Sequence, residues 1–274
     1  MGHARTFWTA YARARDAGGT LVLRNEDLDP QRSKAELVNA MLEDLEWLGI
    51  PWQEGPDVGG TFGPYSQSER RSHYLNIWKQ LLDHGFVYPC TCSRRELNGI
   101  AQAPHESAQG ARGEVRWEGD EGPMYPGTCC PEAGGADLSK QYASPAGVNW
   151  RFRVPDGEVV AFEDGHFGPQ RFVAGEDFGD FPVWRRDDVP AYQLAVVADD
   201  HAMQITEVVR GADLLLSTAR QILIYHALGW ATPEWYHCPL VLNEQGERRA
   251  KRHDALAIRT LREQGRTPEE VRGA

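Results

Sequence analysis

Apolar positions along the chain alternate between helical and extended spacing. Phe7, Trp8, Ala10, Tyr11 and Ala14 mark an amphipathic helix over 3–18, ended by Gly18-Gly19. Residues 20–24 (Thr-Leu-Val-Leu-Arg) read as a buried strand running into the acidic turn Asn25-Glu26-Asp27-Leu28-Asp29-Pro30. Leu37, Met41, Leu42, Leu45 and Leu48 place a second helix at 33–48. After the glycine-rich stretch 55–63, Tyr74, Ile77, Trp78, Leu81 and Leu82 place a third at 68–84. Periodicity then fades over 88–145, and short strands are expected at 148–153 and 159–162. From 190 the pattern resumes: an apolar run at 191–198, a strand at 205–209, a helix at 213–228, and a strand at 238–242 with its turn at 243–246. The alternation predicts an α/β, doubly wound parallel sheet with an inserted α+β segment. Boundaries are expected at 1–87 (first half of a catalytic domain), 88–190 (insertion) and 191–274 (second half).

Composition narrows the class. With 274 residues, 41% hydrophobic and 25% charged, the chain suits a globular protein with a sizeable core. No apolar run approaches the roughly 20 residues of a membrane helix, and no secretory signal is read. Five cysteines, four of them in two clusters, fit a reducing compartment and a metal site, so a cytoplasmic protein is expected. The net charge of −11 argues against indiscriminate nucleic-acid binding. Its distribution is uneven: acids crowd 26–55 and 156–200, while bases crowd 248–272 and leave a local face for an RNA end.

Candidate chemistry lies in five places. Cys90-Thr91-Cys92 and Tyr125-Pro126-Gly127-Thr128-Cys129 can grip a zinc ion that would order a segment too polar to build its own core. The spacing leaves Tyr125 and Cys130 as alternatives for the fourth ligand, and reduced cysteines without metal fit it as well. Cys238 reads as a buried small hydrophobe. Glu26 stands at the carboxyl end of a strand, where a cation such as an amine is held in open sheets; Asp27 and Asp29 read as turn and cap residues. Arg210, at the end of the next strand and before Gly211, can clamp a carboxylate bidentately, with Tyr192 either adding a hydroxyl to the same pocket or filling a strand core. Arg248-Arg249-Ala250-Lys251-Arg252 is a basic loop able to fold over phosphates. Gly2-His3-Ala4-Arg5 opens the first helix, where free N–H groups and the helix dipole attract anions.

In this order the segments resemble the class I aminoacyl-tRNA synthetases, specifically the catalytic core of glutamyl-tRNA synthetases. Gly2-His3-Ala4-Arg5 is similar to the end of the His-x-Gly-His motif, and Arg24–Asp29 to an Arg-x-Glu-Asp-x-Asp segment. Tyr65-Ser66-Gln67-Ser68-Glu69-Arg70 resembles the family's Tyr-x-Ser-Gln stretch, and residues 192–221 form the longest match. Arg248–Arg252 looks like the Lys-Met-Ser-Lys-Ser-type loop, with Arg248 for the first lysine, Ala250 for the serine and Lys251 matching the second lysine. Only 22 residues follow Arg252, and the Cys-x-Cys…Tyr-x₃-Cys set resembles compact members that lack an anticodon-binding region and attach glutamate to the queuosine base of tRNA(Asp).

The resemblance implies two steps: glutamate attacks ATP to give glutamyl-adenylate, and the glutamyl group then passes to RNA. His3, Lys251 and Arg252 would be catalytic, and Gly2, His3 and Lys251 would hold ATP with Mg²⁺. Glu26, Tyr192 and Arg210 would hold L-glutamate. Cys90, Cys92, Tyr125 and Cys129 would bind one structural Zn²⁺. The partners implied are ATP, L-glutamate and tRNA(Asp) carrying queuosine, acted on by a monomer. The strand and first histidine that precede Gly2 in the family are expected to be missing. Two alternatives stand beside this reading: a truncated glutamyl-tRNA synthetase core, and a zinc-stapled binding protein without catalysis.

Overall fold

Helix α1 (Gly2–Asp16) closes where Gly18, at φ +64°, turns the chain, and the Gly19 N–H donates to the Ala14 carbonyl at 2.8 Å. The computed structural model describes residues 2–29, 33–92, 124–131, 138–240 and 258–272. One face of α1 packs with Leu45, Leu48 and Ile50 from and after α2 (Ala35–Trp47), and with Leu261 and Val271 from the C-terminal helices. Farther along, Arg13 donates to Glu207 at 2.9 Å and lies 4.2 Å over the Tyr236 ring, which seats α1 on the main sheet.

The expected strand at 20–24 is an extended segment with two isolated parallel bridges, Val22 to Glu54 and Asn25 to Ser66. Its partner, residues 54–66, is broken by glycines and turns, so no continuous ladder forms. A 3₁₀ turn at Gln67–Glu69 leads into α3 (Arg71–Asp83), whose Tyr74, Ile77, Trp78, Leu81 and Leu82 are buried as their spacing requires.

Two sheets follow. Strands β1 (Val87–Cys90), β2 (Asn149–Phe152) and β5 (Phe181–Trp184) form an antiparallel sheet in the order β1-β2-β5. Trp150 sits at its heart, 5.0 Å edge-to-face from Trp78. The main sheet has the order β4-β3-β7-β6, with β3 (Val159–Asp164), β4 (Gly168–Val173), β6 (Glu207–Gly211) and β7 (Glu234–Cys238). β6 pairs parallel with β7, β7 meets β3 in parallel at Asp164–Trp235, and β3 and β4 make an antiparallel hairpin. Residues 159–173 thus share a sheet with strands from the second half of the chain.

The apolar run after 190 is helix α4 (Tyr192–Ala202), with every residue from Gln193 to Asp200 buried. A helix buried all round shows no amphipathic period, and short apolar runs of this kind do not reveal their type. Tyr192 is accordingly a helix-start residue and not a strand core residue. Helix α5 (Leu215–Ala227) packs beside α4, and α6 (Ile258–Glu263) and α7 (Pro268–Arg272) finish the described chain. The last expected strand lies four residues earlier than read, at 234–238, and 241–242 fall outside the described residues.

Candidate active site

A cavity of about 1040 Å³ opens between α1, residues 19–26, the start of α4 and β6. Glu26, Tyr192 and Arg210, separated by up to 184 positions in sequence, all line it. Each stands where a backbone element ends: Glu26 after the extended segment, Tyr192 at the first turn of α4, Arg210 one residue before β6 closes. Side chains are presented into the crevice at the carboxyl ends of the strands, as is usual for open α/β sheets. At Gly211 a Cβ would stand 2.4 Å from the Asp213 carboxylate, so the turn out of β6 is fitted around a glycine.

Arg210 is 8% exposed, and its partners are all neutral. Nε donates to His237 Nε2 at 3.2 Å, one terminal nitrogen to Gln221 Oε1 at 2.8 Å, and the other to Thr218 Oγ1 at 2.6 Å. No carboxylate lies within 4 Å of the guanidinium among the described residues. A buried cation normally pairs with an anion. This one is aimed but not neutralised. Tyr192 keeps 38% of its surface open on the cavity wall; the protein packed around its hydroxyl pushes the pKa up to about 12, against the opposing pull of Arg210, so it remains a phenol at neutral pH.

Behind Glu26 lies a charge network. Arg24 donates to Glu26 at 3.2 Å and to Asp200 at 2.7 Å, and its Nε is 3.6 Å from Asp199. Burial works against its charge, but Asp200, Glu26 and Asp199 outweigh it and hold the guanidinium firmly ionised. Fully buried Asp199 also accepts from Arg70 Nε at 2.6 Å, Gln67 Nε2 at 2.9 Å and the Tyr74 hydroxyl at 2.9 Å. The carboxylate therefore ties α4 to α3, to the 65–70 motif and to the Glu26 segment.

Cys90, Cys92 and Cys129 bring their sulfur atoms within 4.8 Å of one another, close enough to hold a metal ion. The Tyr125 hydroxyl completes the group, 3.5 Å from Cys90 Sγ and 3.7 Å from Cys92 Sγ. Cys130 turns its sulfur toward the Pro131 carbonyl instead, 3.9 Å away. Burial raises the Cys129 thiol, but hydrogen bonds from Tyr125, Thr91 and Cys92 overcome it and bring the pKa down to about 6. Arg151 donates to Cys90 Sγ at 3.3 Å and lies 3.8 Å over the Tyr125 ring, placing a cation against that sulfur and ring. Burial pushes the Cys92 thiol up to about 11, so a metal would have to draw off its proton; three sulfur donors and a phenol oxygen gathered this closely are a donor set suited to zinc.

The side chain of His3 and all of Lys251 and Arg252 lie outside the described residues; Gly2 begins α1. Sequence alone assigns no role to Asp199, Asp164 or His237, although Asp199 falls in the matching stretch 192–221. Asp199 and Asp200 carried a usable signal, two acids directly after the apolar run 194–198. His237 carried none, because its partners come from three distant segments.

The model for class I tRNA synthetases (E and Q), catalytic domain, matches residues 1–273, and the chain belongs to this family. It is 46% identical over 265 residues to the glutamyl-Q tRNA(Asp) synthetase of Nitratidesulfovibrio vulgaris, covering 97% of this chain and 78% of that protein. Against the glutamyl-Q tRNA(Asp) synthetase of Symbiobacterium thermophilum the identity is 47% over 276 residues, covering 100% and 80%. A glutamate–tRNA ligase of Nitrosococcus oceani is 40% identical over 98% of this chain, which spans 54% of that ligase. The solved glutamate-tRNA synthetase of Elizabethkingia anophelis superimposes with a TM-score of 0.73 at 30% identity, over 92% of this chain and 50% of that one. The fold is the α/β core of these enzymes. Among the described residues, no helix is long and apolar enough to cross a membrane.

Proposed function

We propose that the protein activates L-glutamate with ATP and transfers the glutamyl group to the queuosine base of tRNA(Asp). One observation carries the reading: Arg210, a buried guanidinium met among the described residues only by neutral acceptors, faces a cavity whose other wall bears Glu26. A cation and an anion across one crevice suit an amino acid with an acidic side chain. Arg210 and Tyr192 take the side-chain carboxylate, and Glu26 takes the α-ammonium. The relatives named as glutamyl-Q tRNA(Asp) synthetases, at 46% and 47% identity, support the choice of glutamate and of tRNA(Asp).

In the first step an α-carboxylate oxygen of glutamate attacks the α-phosphorus of ATP, and the bond to the departing pyrophosphate breaks. The nucleophile is already ionised, so the work is positioning and charge stabilisation. The start of α1 with Gly2 and His3 offers N–H groups and a helix dipole to the phosphates; Lys251 and Arg252 stabilise the charge that develops, each for about 2–4 kcal/mol. Mg²⁺ bound with ATP supplies further neutralisation at the phosphates. The adenylate's carbonyl carbon is then attacked by a hydroxyl of the queuosine base, and AMP leaves. Residues 1–87 and 191–274 build this site. Within 88–190, Cys90, Cys92, Tyr125 and Cys129 would hold one Zn²⁺, which would act as a structural staple since all four donors come from the protein. The reading takes the protein as a monomer working in the cytoplasm, where tRNA is modified.

Glutamate-dependent ATP–pyrophosphate exchange, followed by glutamylation assays on queuosine-containing tRNA(Asp) and on tRNA(Glu), tests the proposal. Exchange together with labelling of tRNA(Asp) alone is expected. Labelling of tRNA(Glu) would make the chain a glutamyl-tRNA synthetase core. Absence of exchange would leave a binding protein.

A further inference from the structure

Asp164 and His237 are ionisable, wholly buried and unused in the reaction above, yet they stand directly behind the guanidinium assigned to the substrate. Asp164 closes β3, and His237 lies on β7 in register with Arg210 on β6. The Asp164 carboxylate is saturated. One oxygen accepts from the His166 and Phe167 N–H groups at 3.0 and 2.8 Å, the other from the His237 backbone N–H at 3.1 Å and ring Nδ1 at 2.6 Å. That last bond puts the ring proton on Nδ1. The Nε2 lone pair is then left to face Arg210 Nε and Thr218 Oγ1, at 3.2 and 3.1 Å.

We propose that Asp164 and His237 are positioning residues that fix the plane of Arg210 through a neutral imidazole, keeping its charge for the substrate carboxylate. The inference rests on the assignment of Arg210 to glutamate. An acid in direct contact would orient the guanidinium equally well but would neutralise it. Here the imidazole spacer separates the Asp164 charge from Arg210, and Gln221 and Thr218 hold the terminal nitrogens with neutral oxygens. The ring stays uncharged because burial and the adjacent Arg210 cation hold its pKa down to about 4. The device favours a carboxylate over the isosteric amide, since glutamine gains little from an unspent positive charge.

The substitutions that test it are His237→Asn, which can still donate to Asp164 but does not reach Arg210, and His237→Gln, which can reach Arg210 with an oxygen. Glutamate binding is followed by calorimetry and activation by pyrophosphate exchange. His237→Asn should raise the Kd and KM for glutamate about tenfold, the weight of one hydrogen bond to a charged group. The KM for ATP should stay within about twofold, and the preference for glutamate over glutamine should shrink. His237→Gln should recover most of the loss. Unchanged glutamate affinity in a folded His237→Asn protein overturns the relay. If that variant does not fold, Thr218→Val, which removes a neighbouring acceptor, carries the same glutamate-only expectation. A wild-type protein that neither binds nor activates glutamate would defeat the proposed function. The relay would then be judged by ¹⁵N histidine spectra, where the Nδ1–H tautomer at neutral pH supports it and the Nε2–H tautomer overturns it.

Discussion

Asp199→Asn removes the charge at the centre of the network behind Glu26 while keeping the side chain's shape. The carboxylate is wholly buried and faces Arg70 at 2.6 Å and Arg24 at 3.6 Å, besides accepting from Gln67 and Tyr74. Two unit charges about 4 Å apart attract by about 4 kcal/mol at an effective dielectric near 20, and breaking one partner of a buried pair typically costs 3–5 kcal/mol. Asparagine retains one acceptor oxygen, and Asp200 remains for Arg24 at 2.7 Å, so the net loss should be about 3 kcal/mol. With a urea slope of about 3 kcal/mol per molar, that lowers the midpoint by about 1 M. Asp200→Asn, with one ion-pair partner and 7% exposure, should cost about 1 kcal/mol. Urea titrations of the three proteins at pH 7, followed by tryptophan fluorescence, make the comparison. A midpoint for Asp199→Asn within about 0.3 M of wild type would refute the view that this carboxylate ties α3, α4 and the Glu26 segment together.

Other outcomes follow from the same structure. His237 has its pKa depressed from 6.5 to about 4. The folded state therefore binds fewer protons than the unfolded one in that window, so stability present above pH 6.5 falls as the pH drops toward 4. The loss should reach about 2–3 kcal/mol by pH 4.5; a wild-type urea midpoint that does not fall more steeply over that window than that of His237→Gln would sink the claim. Metal analysis of purified protein should find one zinc per chain, and Cys129→Ser should lower both the zinc content and the melting temperature; metal-free wild-type protein with an unaltered melting curve would count against the staple. Arg210→Lys, which keeps the charge but loses the planar fork, should raise the KM for glutamate about a hundredfold with little change for ATP; steady-state exchange kinetics with an unchanged glutamate KM would remove Arg210 from the substrate.

Much of this protein is legible in one dimension because local rules govern it. The amphipathic spacing of Tyr74, Ile77, Trp78, Leu81 and Leu82 defines α3, Gly18 stops α1, and the Cys90–Cys92 and Tyr125–Cys129 spacings mark side chains that converge closely enough to hold a metal ion. The ordered motifs around Glu26, Arg210 and Lys251 were enough to indicate the family. Tertiary structure decided the rest, where the deciding energy is non-local. The run after 190 is a helix whose residues 193–200 are all buried, so no polar face betrays its period. The segment 20–24 stays short of a regular strand because its partner is broken by glycines. Gly2-His3 begins α1, whose Thr6, Phe7, Ala10 and Arg13 line the cavity, but nothing in those residues brings Arg210 there. In sequence Arg210 reads as a strand-end base able to clamp a carboxylate, but its burial and its partners are not legible there. That it is buried, held by neutral acceptors and, among the described residues, without a counter-ion depends on β6, β7 and α5 meeting, because electrostatics in a low-dielectric interior are set by neighbours in space and not along the chain.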